Sequence, residues 1–597
     1  MKKHVLIIFV LNLVFIVLPF NAIFAQGVLV EILLQKQIEE SELVVEGKVI
    51  AKESLWDSKH QNIYTKNTVE VYKVFKGEIF TQIVIITKGG VVGLKAQKVT
   101  PSLQLSKNNI GLFLLNTSNI QFLNDKNGFK NFSPYSGIQG FYKYDNLLNK
   151  ASNVFKSFND VEGVLYDSIK SITKINYREV VKKKFAGVDT FNNANKNSLA
   201  VGISNITPNP ITAGTKSILT INGSGFGTGI GSIGFSNADD GGATLYSPLD
   251  TQIVSWSDAI IQVEVPSEAG TGVVRVTHQF DGTFDEANLS ISYSEINAES
   301  DALSSGMFVA YQTQHINANL SGGYTWQMHT EFNANTSAKE SFIRAFDTWR
   351  CETGVNWVLG STTGIDIAAN DGTNVIRFDN GAELASGTLG VNSSWLSGCI
   401  IGGTVVEWYV SELDIVFNDT SNWEFGPTLP NVTEVDFESV AVHELGHGHQ
   451  LGHVIDSNAI MHFSISNGES NRALSANDIA GAGDVHSRST TLTPCGEASM
   501  TNYDNSSCAL NTKDNELYAN IYIYPNPNSG EFFLKKTSFI NLEKAVVYDI
   551  NGRLISTHDI SDGLNIKTIN LDNVSNGVYF LSVHSDTAAI TKKIIIK

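Results

Sequence analysis

The chain has 597 residues, of which 42% are apolar and 17% charged. That length exceeds what one hydrophobic core organises, so three to five domains are expected, and the composition excludes a disordered or fibrous chain. The net charge of −18, from 42 basic and 60 acidic residues, argues against nucleic acid as a partner, because phosphate binding needs a basic face.

Lys2 and Lys3 precede an apolar run from Val5 to Phe20, and Asn21 to Ala25 lead into Gln26. This is the layout of a signal peptide spanning residues 1–25. Asn12 and Pro19 interrupt the run, which is short for a bilayer span, so no transmembrane anchor is expected after signal removal. Residues 26–190 alternate apolar and polar positions in short runs such as "ELVVEGKVIA", "TVEVYKVFKG" and "TQIVIITKGG". Period-two alternation closed by glycine predicts strands, and hence a β-barrel or sandwich. The unit is either an accessory domain or, from its place ahead of the later chemistry, a pro domain. "GVDTFNNANKNSLA" (187–200) is small and polar, as a linker would be.

From 200 to 295 the strands resume. "SILTINGSGFG" alternates Leu219 and Ile221, then supplies Gly223, Gly225 and Gly227 for turns. With Trp256-Ser257-Asp258, Val265-Pro266 and the turn at Gly270 and Gly272, this stretch resembles the immunoglobulin-like TIG (IPT) domain. The resemblance implies a small β-sandwich with a spacer or binding role and no catalytic residues.

Residues 303–490 change character. In "SAKESFIRAFDTWR", Phe342, Ala345, Phe346 and Trp349 fall at helical spacing and predict one buried face. "VNWVLG", "NVIRFDN" and "LDIVFND" are strand candidates, so this unit is expected to be α+β. The last stretch, 518–597, is β again, with turns at Asn526-Pro527, Asn551-Gly552 and Asn576-Gly577. Tyr524, Pro525, Asn526, Pro527, Gly530, Tyr548, Gly552, Gly577, Tyr579 and the tail "TKKIIIK" resemble the C-terminal sorting domain of the type IX secretion system of Bacteroidetes. That implies the secretion machinery as a partner and a secreted or cell-surface location.

The four cysteines, Cys351, Cys399, Cys495 and Cys508, allow three pairings in an oxidising compartment. Closeness in sequence favours Cys351 with Cys399 and Cys495 with Cys508.

The chemistry concentrates in "AVHELGHGHQLGHVIDSNAIM" (441–461). His443 and His447 lie four apart, on one face of a helix and one turn from each other. Their nitrogens can meet one metal at about 2.0–2.1 Å. Glu444, one step round, is placed beside the metal as a general base toward water. A third ligand is needed. His453 is the candidate, but on a straight helix it would sit about 15 Å along the axis, so the chain must break first. Gly448 and Gly452 offer such a break. His449 and His462 are expected to be exposed, to face substrate or to support the ligands, rather than to ligate.

Here the residues resemble the metzincin motif H-E-x-x-H-x-x-G-x-x-H, with Met461 at the place of the methionine turn, and the match is closest to the matrixin-like peptidases. "SELDIVFND" upstream and "RALSANDIAGAGDVH" downstream fit the same family. The resemblance implies a zinc endopeptidase acting on protein or peptide substrates. It makes His443, His447 and His453 zinc ligands, Glu444 the base and Met461 the residue beneath the metal. Structural calcium is also common in the family, with no ligands assignable here. One departure stands out: the family glycine falls at Gln450, where a left-handed backbone costs about 1–2 kcal/mol in a non-glycine residue. No free-cysteine pro-segment precedes Cys351, which argues against latency by a cysteine switch. Two alternatives compete. One is a surface adhesin or binding protein carrying a degenerate metalloprotease domain. The other keeps the enzyme but replaces His453 by a downstream carboxylate such as Glu469. A substrate strand is expected to pair with the edge near "LDIVFND" or "VVEWYV".

Overall fold

The computed structural model describes residues 25–597, apart from 27–28, 123–128, 183–199, 382, 511–516, 519, 537–539, 551–552, 572–573 and 586–588. The signal-peptide run (1–24), most of the 187–200 linker and the Asn551-Gly552 turn lie outside the described residues.

The N-terminal unit is built on a nine-stranded sheet whose longest members are Leu43–Trp56 and Ile63–Lys76. These strands carry apolar side chains on both faces, so both must be covered. One face buries Val45, Val49, Val69 and Val71. The other buries Val44, Phe75, Leu112 and Leu114 against Ile38, Leu165 and Ile169 of the short helices Leu34–Glu40 and Tyr166–Thr173 and the turn between. One strand, β1 (Lys95–Thr100), does not stay with this sheet.

The Ig-like unit follows, with two four-stranded sheets around Leu219, Ile221, Phe235, Ile261, Val263 and Val274. At the other end of the chain, a three-stranded and a four-stranded sheet enclose Phe532, Leu534, Val547, Leu581 and Ile594.

The central unit contains β2 (Tyr324–Met328), α1 (Thr336–Thr353), β3 (Trp357–Leu359), β4 (Asn374–Phe378), β5 (Gly390–Ile401), β6 (Val405–Phe417), α2 (Phe437–Gly448) and α3 (Ala476–Thr491). Its sheet runs β3-β2-β4-β6-β5 and is extended by β1 and then by Gly90–Val92 of the N-terminal unit. The α1 helix starts where Asn335 Oδ1 accepts from the Ala338 amide, and it stops at Gly354, whose φ is +77°. Its buried face is Phe342, Ala345, Phe346 and Trp349, as the spacing predicts. The indole of Trp349 donates to the Val442 carbonyl at 2.7 Å and ties α1 to α2. Asp436 caps α2, and every residue of that helix is buried. A helix buried on all sides needs a reason for its polar side chains to be inside.

The disulfides are Cys351–Cys508 and Cys399–Cys495, with Cα separations of 5.6 and 5.7 Å. This overturns the pairing favoured by closeness in sequence. The segment after α3 folds back across the central unit, so Cys495 meets β5 and Cys508 meets the end of α1.

Candidate metal centre

His443 and His447 project from α2, and the helix ends at Gly448. The break falls at Gln450 itself, with φ +66°, and not at Gly448 or Gly452. Two sets of bonds hold it there. The Gln450 amide donates to the His447 carbonyl at 2.9 Å, and its carbonyl accepts from the Ile296 amide at 2.8 Å. Its side chain takes up Thr313 Oγ1 at 3.0 Å and Ser394 Oγ at 3.2 Å. The turned chain then delivers His453.

The three imidazoles converge. His453 Nε2 lies 3.2 Å from His443 Nε2 and 3.2 Å from His447 Nε2. Each Nδ1 has its own acceptor: the Ile460 carbonyl for His443, the Leu451 carbonyl for His447 and Asp239 Oδ1 for His453, each at 2.8 Å. A neutral ring that donates from Nδ1 has a bare lone pair on Nε2. Three lone pairs thus face one another in a buried space, which is unfavourable without a cation between them. Two ligands held at about 2.05 Å in tetrahedral geometry stand roughly 3.3 Å apart. The observed 3.2 Å fits that set, and zinc is among the metals that imidazole ligands suit. Burial pushes His443 down to about 3 and His447 well below the usual histidine range, with the neighbouring ligand rings adding to it. Burial thus favours the neutral form of these two rings, the form that binding a metal requires.

Glu444 is fully buried, and neither carboxylate oxygen has a hydrogen-bond partner among the described residues. Burial lifts its pKa well above the carboxylate range, and the facing Asn392 backbone amide offsets this only in part. A Cβ placed on Gly390 would come within 2.8 Å of Glu444 Oε1, so the start of β5 passes directly across the carboxylate and a larger residue there would have to displace it.

Met461 is buried beneath the helix. A Cβ on Gly446 would lie 2.2 Å from its sulfur, so the glycine between Glu444 and His447 lets the methionine reach the underside of the site. Asp478, in the first turn of α3, accepts from the Ile460 and Met461 amides at 2.9 and 3.2 Å and fixes this turn.

The remaining candidates fall elsewhere. His449 is fully buried between Trp349, Trp357 and His315, so it is a core residue, neither exposed nor substrate-facing. His462 is half-buried and bonded to Ser464. Glu469 accepts from the Ser466 amide and is not gathered with the histidines. Cys399 and Cys495 are near Glu407 but are joined to each other, so no thiolate is offered there.

Sequence reasoning missed Asp239. It stands in an ordinary polar turn, "NADDGG", 214 residues before His453, and no spacing rule connects them.

Both "LDIVFND" and "VVEWYV" lie on β6; the first is flanked by β4 at Ile415–Phe417 and by β5, while the second pairs with β5 alone. The expectation that "LDIVFND" offers a substrate edge is therefore corrected, because β4 and β5 take both of its sides. The sheet edge next to the metal centre is β5, and β1 occupies it antiparallel, from Asn392↔Thr100 to Ser397↔Lys95. What remains above His447 and His453 is a cavity of about 50 Å³ bounded by Lys98, Val99, Thr100, Asp239 and Glu268. It has room for a few waters and none for a peptide.

Comparison with known proteins agrees with this geometry. Residues 320–487 match the family described as Matrixin, 202–315 the IPT/TIG domain and 522–597 the secretion system C-terminal sorting domain. The matrixin match thus falls on the central unit, the one that carries the three histidines. The sorting domain marks it for export, to the surface or the medium. Over 162 residues it is 32% identical to Metalloendoproteinase 5-MMP of Arabidopsis thaliana, covering 26% of this chain and 41% of that protein. The chain therefore spans less than half of that relative. Two solved structures, an FMN-binding β-glucuronidase of Facaelibacterium prausnitzii L2-6 and the BSP domain of a biofilm-associated protein, cover 66% and 92% of this chain. They are 10% and 8% identical, and their TM-scores of 0.14 and 0.13 are too low to carry any argument. Among the described residues, no helix is long and apolar enough to cross a membrane.

Proposed function

We propose that the protein is an exported zinc endopeptidase, made as a form whose substrate edge is covered. The observation that carries this is the set of three bare Nε2 atoms beside an uncommitted, buried Glu444 carboxylate. His443, His447 and His453 would hold the metal. When bound, it supplies a Lewis acid that polarises the scissile carbonyl and acidifies water. Glu444 takes a proton from the attacking water and delivers it to the leaving amine. β5 would bind the extended substrate antiparallel through its backbone, along the line that β1 now takes. Residues 26–190 would then act as a pro domain that blocks the site by strand pairing, without a cysteine.

The test pairs zinc content with casein hydrolysis for the wild type and Glu444→Gln, before and after limited proteolysis of the N-terminal unit. About one zinc in both proteins, with cleavage only by the wild type after nicking, supports the proposal. Zinc without cleavage in any wild-type form would leave the binding-protein alternative. No zinc in either would end the metal reading.

A further inference from the structure

We propose that Asp239, on the Ig-like unit, is a positioning residue of the metal centre. Through His453 it makes the Ig-like unit a working part of the site and not a spacer. The inference rests on the histidine triad being a zinc site.

The three ligand rings are not supported alike. His443 and His447 donate to backbone carbonyls of their own unit, Ile460 and Leu451. His453 donates to a carboxylate, Asp239 Oδ1 at 2.8 Å, which comes from outside the matrixin match at 320–487. His453 is 4% exposed and the Asp239 side chain 27%, so the pair is shielded on the histidine side and partly open on the other. A carboxylate on Nδ1–H fixes the tautomer with Nε2 bare, sets the plane of the ring and makes Nε2 a better donor. Among the described residues, Asp239 alone bonds to the Nδ1 of His453.

The placement of Asp239 is enforced from several directions. Its own amide donates to Asn237 Oδ1 at 3.1 Å, and the Ala238 amide donates to the Glu268 carbonyl at 2.8 Å. The next residue but one, Gly241, has φ +66°, and a Cβ there would lie 2.3 Å from the Phe463 ring. A Cβ on Gly270 would likewise come within 2.7 Å of Ile455 Cδ1. The turn bearing Asp239 is thus seated on the segment that runs from His453 to the methionine turn. On the other side, the strand leaving the Ig-like unit clamps the ligand turn. The Gly452 amide donates to the Ser294 carbonyl at 2.9 Å, and the Ile296 amide to the Gln450 carbonyl at 2.8 Å. The residue that departs from the family glycine is therefore braced by the same unit that orients the third ligand.

The test is zinc affinity of the full chain, measured by competition with a chromophoric chelator, for the wild type, Asp239→Ala and Asp239→Asn. The unfolding midpoint of each metal-free protein is measured alongside. Loss of the orienting carboxylate should weaken zinc binding by about 10–100-fold in Asp239→Ala. The loss should be smaller in Asp239→Asn, which keeps an acceptor oxygen but not the charge. The metal-free midpoints should stay together. If both variants bind zinc as tightly as the wild type, Asp239 does not position His453 and the proposal falls while the triad stands. If the metal-free midpoints drop in step with affinity, the role is structural and the proposal also falls. If the wild type itself binds no zinc, the failure is that of the metal reading.

Discussion

Gln450 offers a quantitative test of how this site tolerates a side chain where the family has glycine. Its φ of +66° carries about 1–2 kcal/mol of left-handed strain. Replacement by glycine relieves that but gives the unfolded chain more freedom, worth about 0.4–1 kcal/mol, so the backbone gain is about 0.5–1 kcal/mol. The same replacement removes the buried bonds to Thr313 and Ser394, each worth about 1 kcal/mol. Gln450→Gly should then be destabilised by about 1–1.5 kcal/mol. Gln450→Ala loses the same bonds and keeps the strain, so it should be destabilised by about 2 kcal/mol. The expected order is wild type, then glycine, then alanine, which reverses the usual advantage of alanine over glycine. Six of the eight tryptophans lie between Trp326 and Trp423, so fluorescence in urea reports mainly on the central unit. With a slope of ~2 kcal/mol/M, the alanine midpoint should fall by about 1 M and the glycine midpoint by about half to three-quarters of that. An alanine variant at least as stable as glycine would show that the turn carries no left-handed cost. A glycine variant matching the wild type would show that the buried amide bonds contribute nothing.

Proline at Lys98 and Val99 together should raise casein hydrolysis by at least about tenfold. Consecutive amides point to opposite sides of a strand, so one of the two faces β5, and losing that bond together with the clash of the proline ring is worth roughly 1.4 kcal/mol; unchanged activity would mean that β1 is not the block. Peptide mapping without reduction should recover Cys351–Cys508 and Cys399–Cys495, and a fragment joining Cys495 to Cys508 would refute the arrangement. Asp240 is buried and pushed up to about 6 from 3.8, chiefly by burial. Its native form thus binds protons that the unfolded form has lost. That contribution is present below pH ~3.8 and disappears as pH rises through ~6, for a change of up to about 3 kcal/mol. Comparing denaturation at pH 4.5 and 7.5, Asp240→Asn should gain relative to the wild type as pH rises; a constant difference would refute the shift.

The local sequence determined the parts of this protein whose cause is local. Four-residue spacing puts His443 and His447 on one helix face, alternation marks Leu43–Trp56 and Ile63–Lys76 as strands, and the apolar stripe from Phe342 to Trp349 marks the buried face of α1. Each follows from helix or strand period, which acts within a few residues. The need for a break before His453 was also legible, because ten helical residues span too far. That Gln450 itself would take the left-handed turn was not, since its support comes from Thr313, Ser394 and Ile296, none of them near it in sequence. The same holds for Asp239 on His453, for β1 on the edge of β5, and for both disulfides, where neighbours in sequence turned out not to be neighbours in space. These contacts join residues about 55 to 300 positions apart. They are decided by how the domains pack, because hydrogen bonds, strand edges and sulfur atoms answer to distance in space, and no periodicity in the chain encodes that distance.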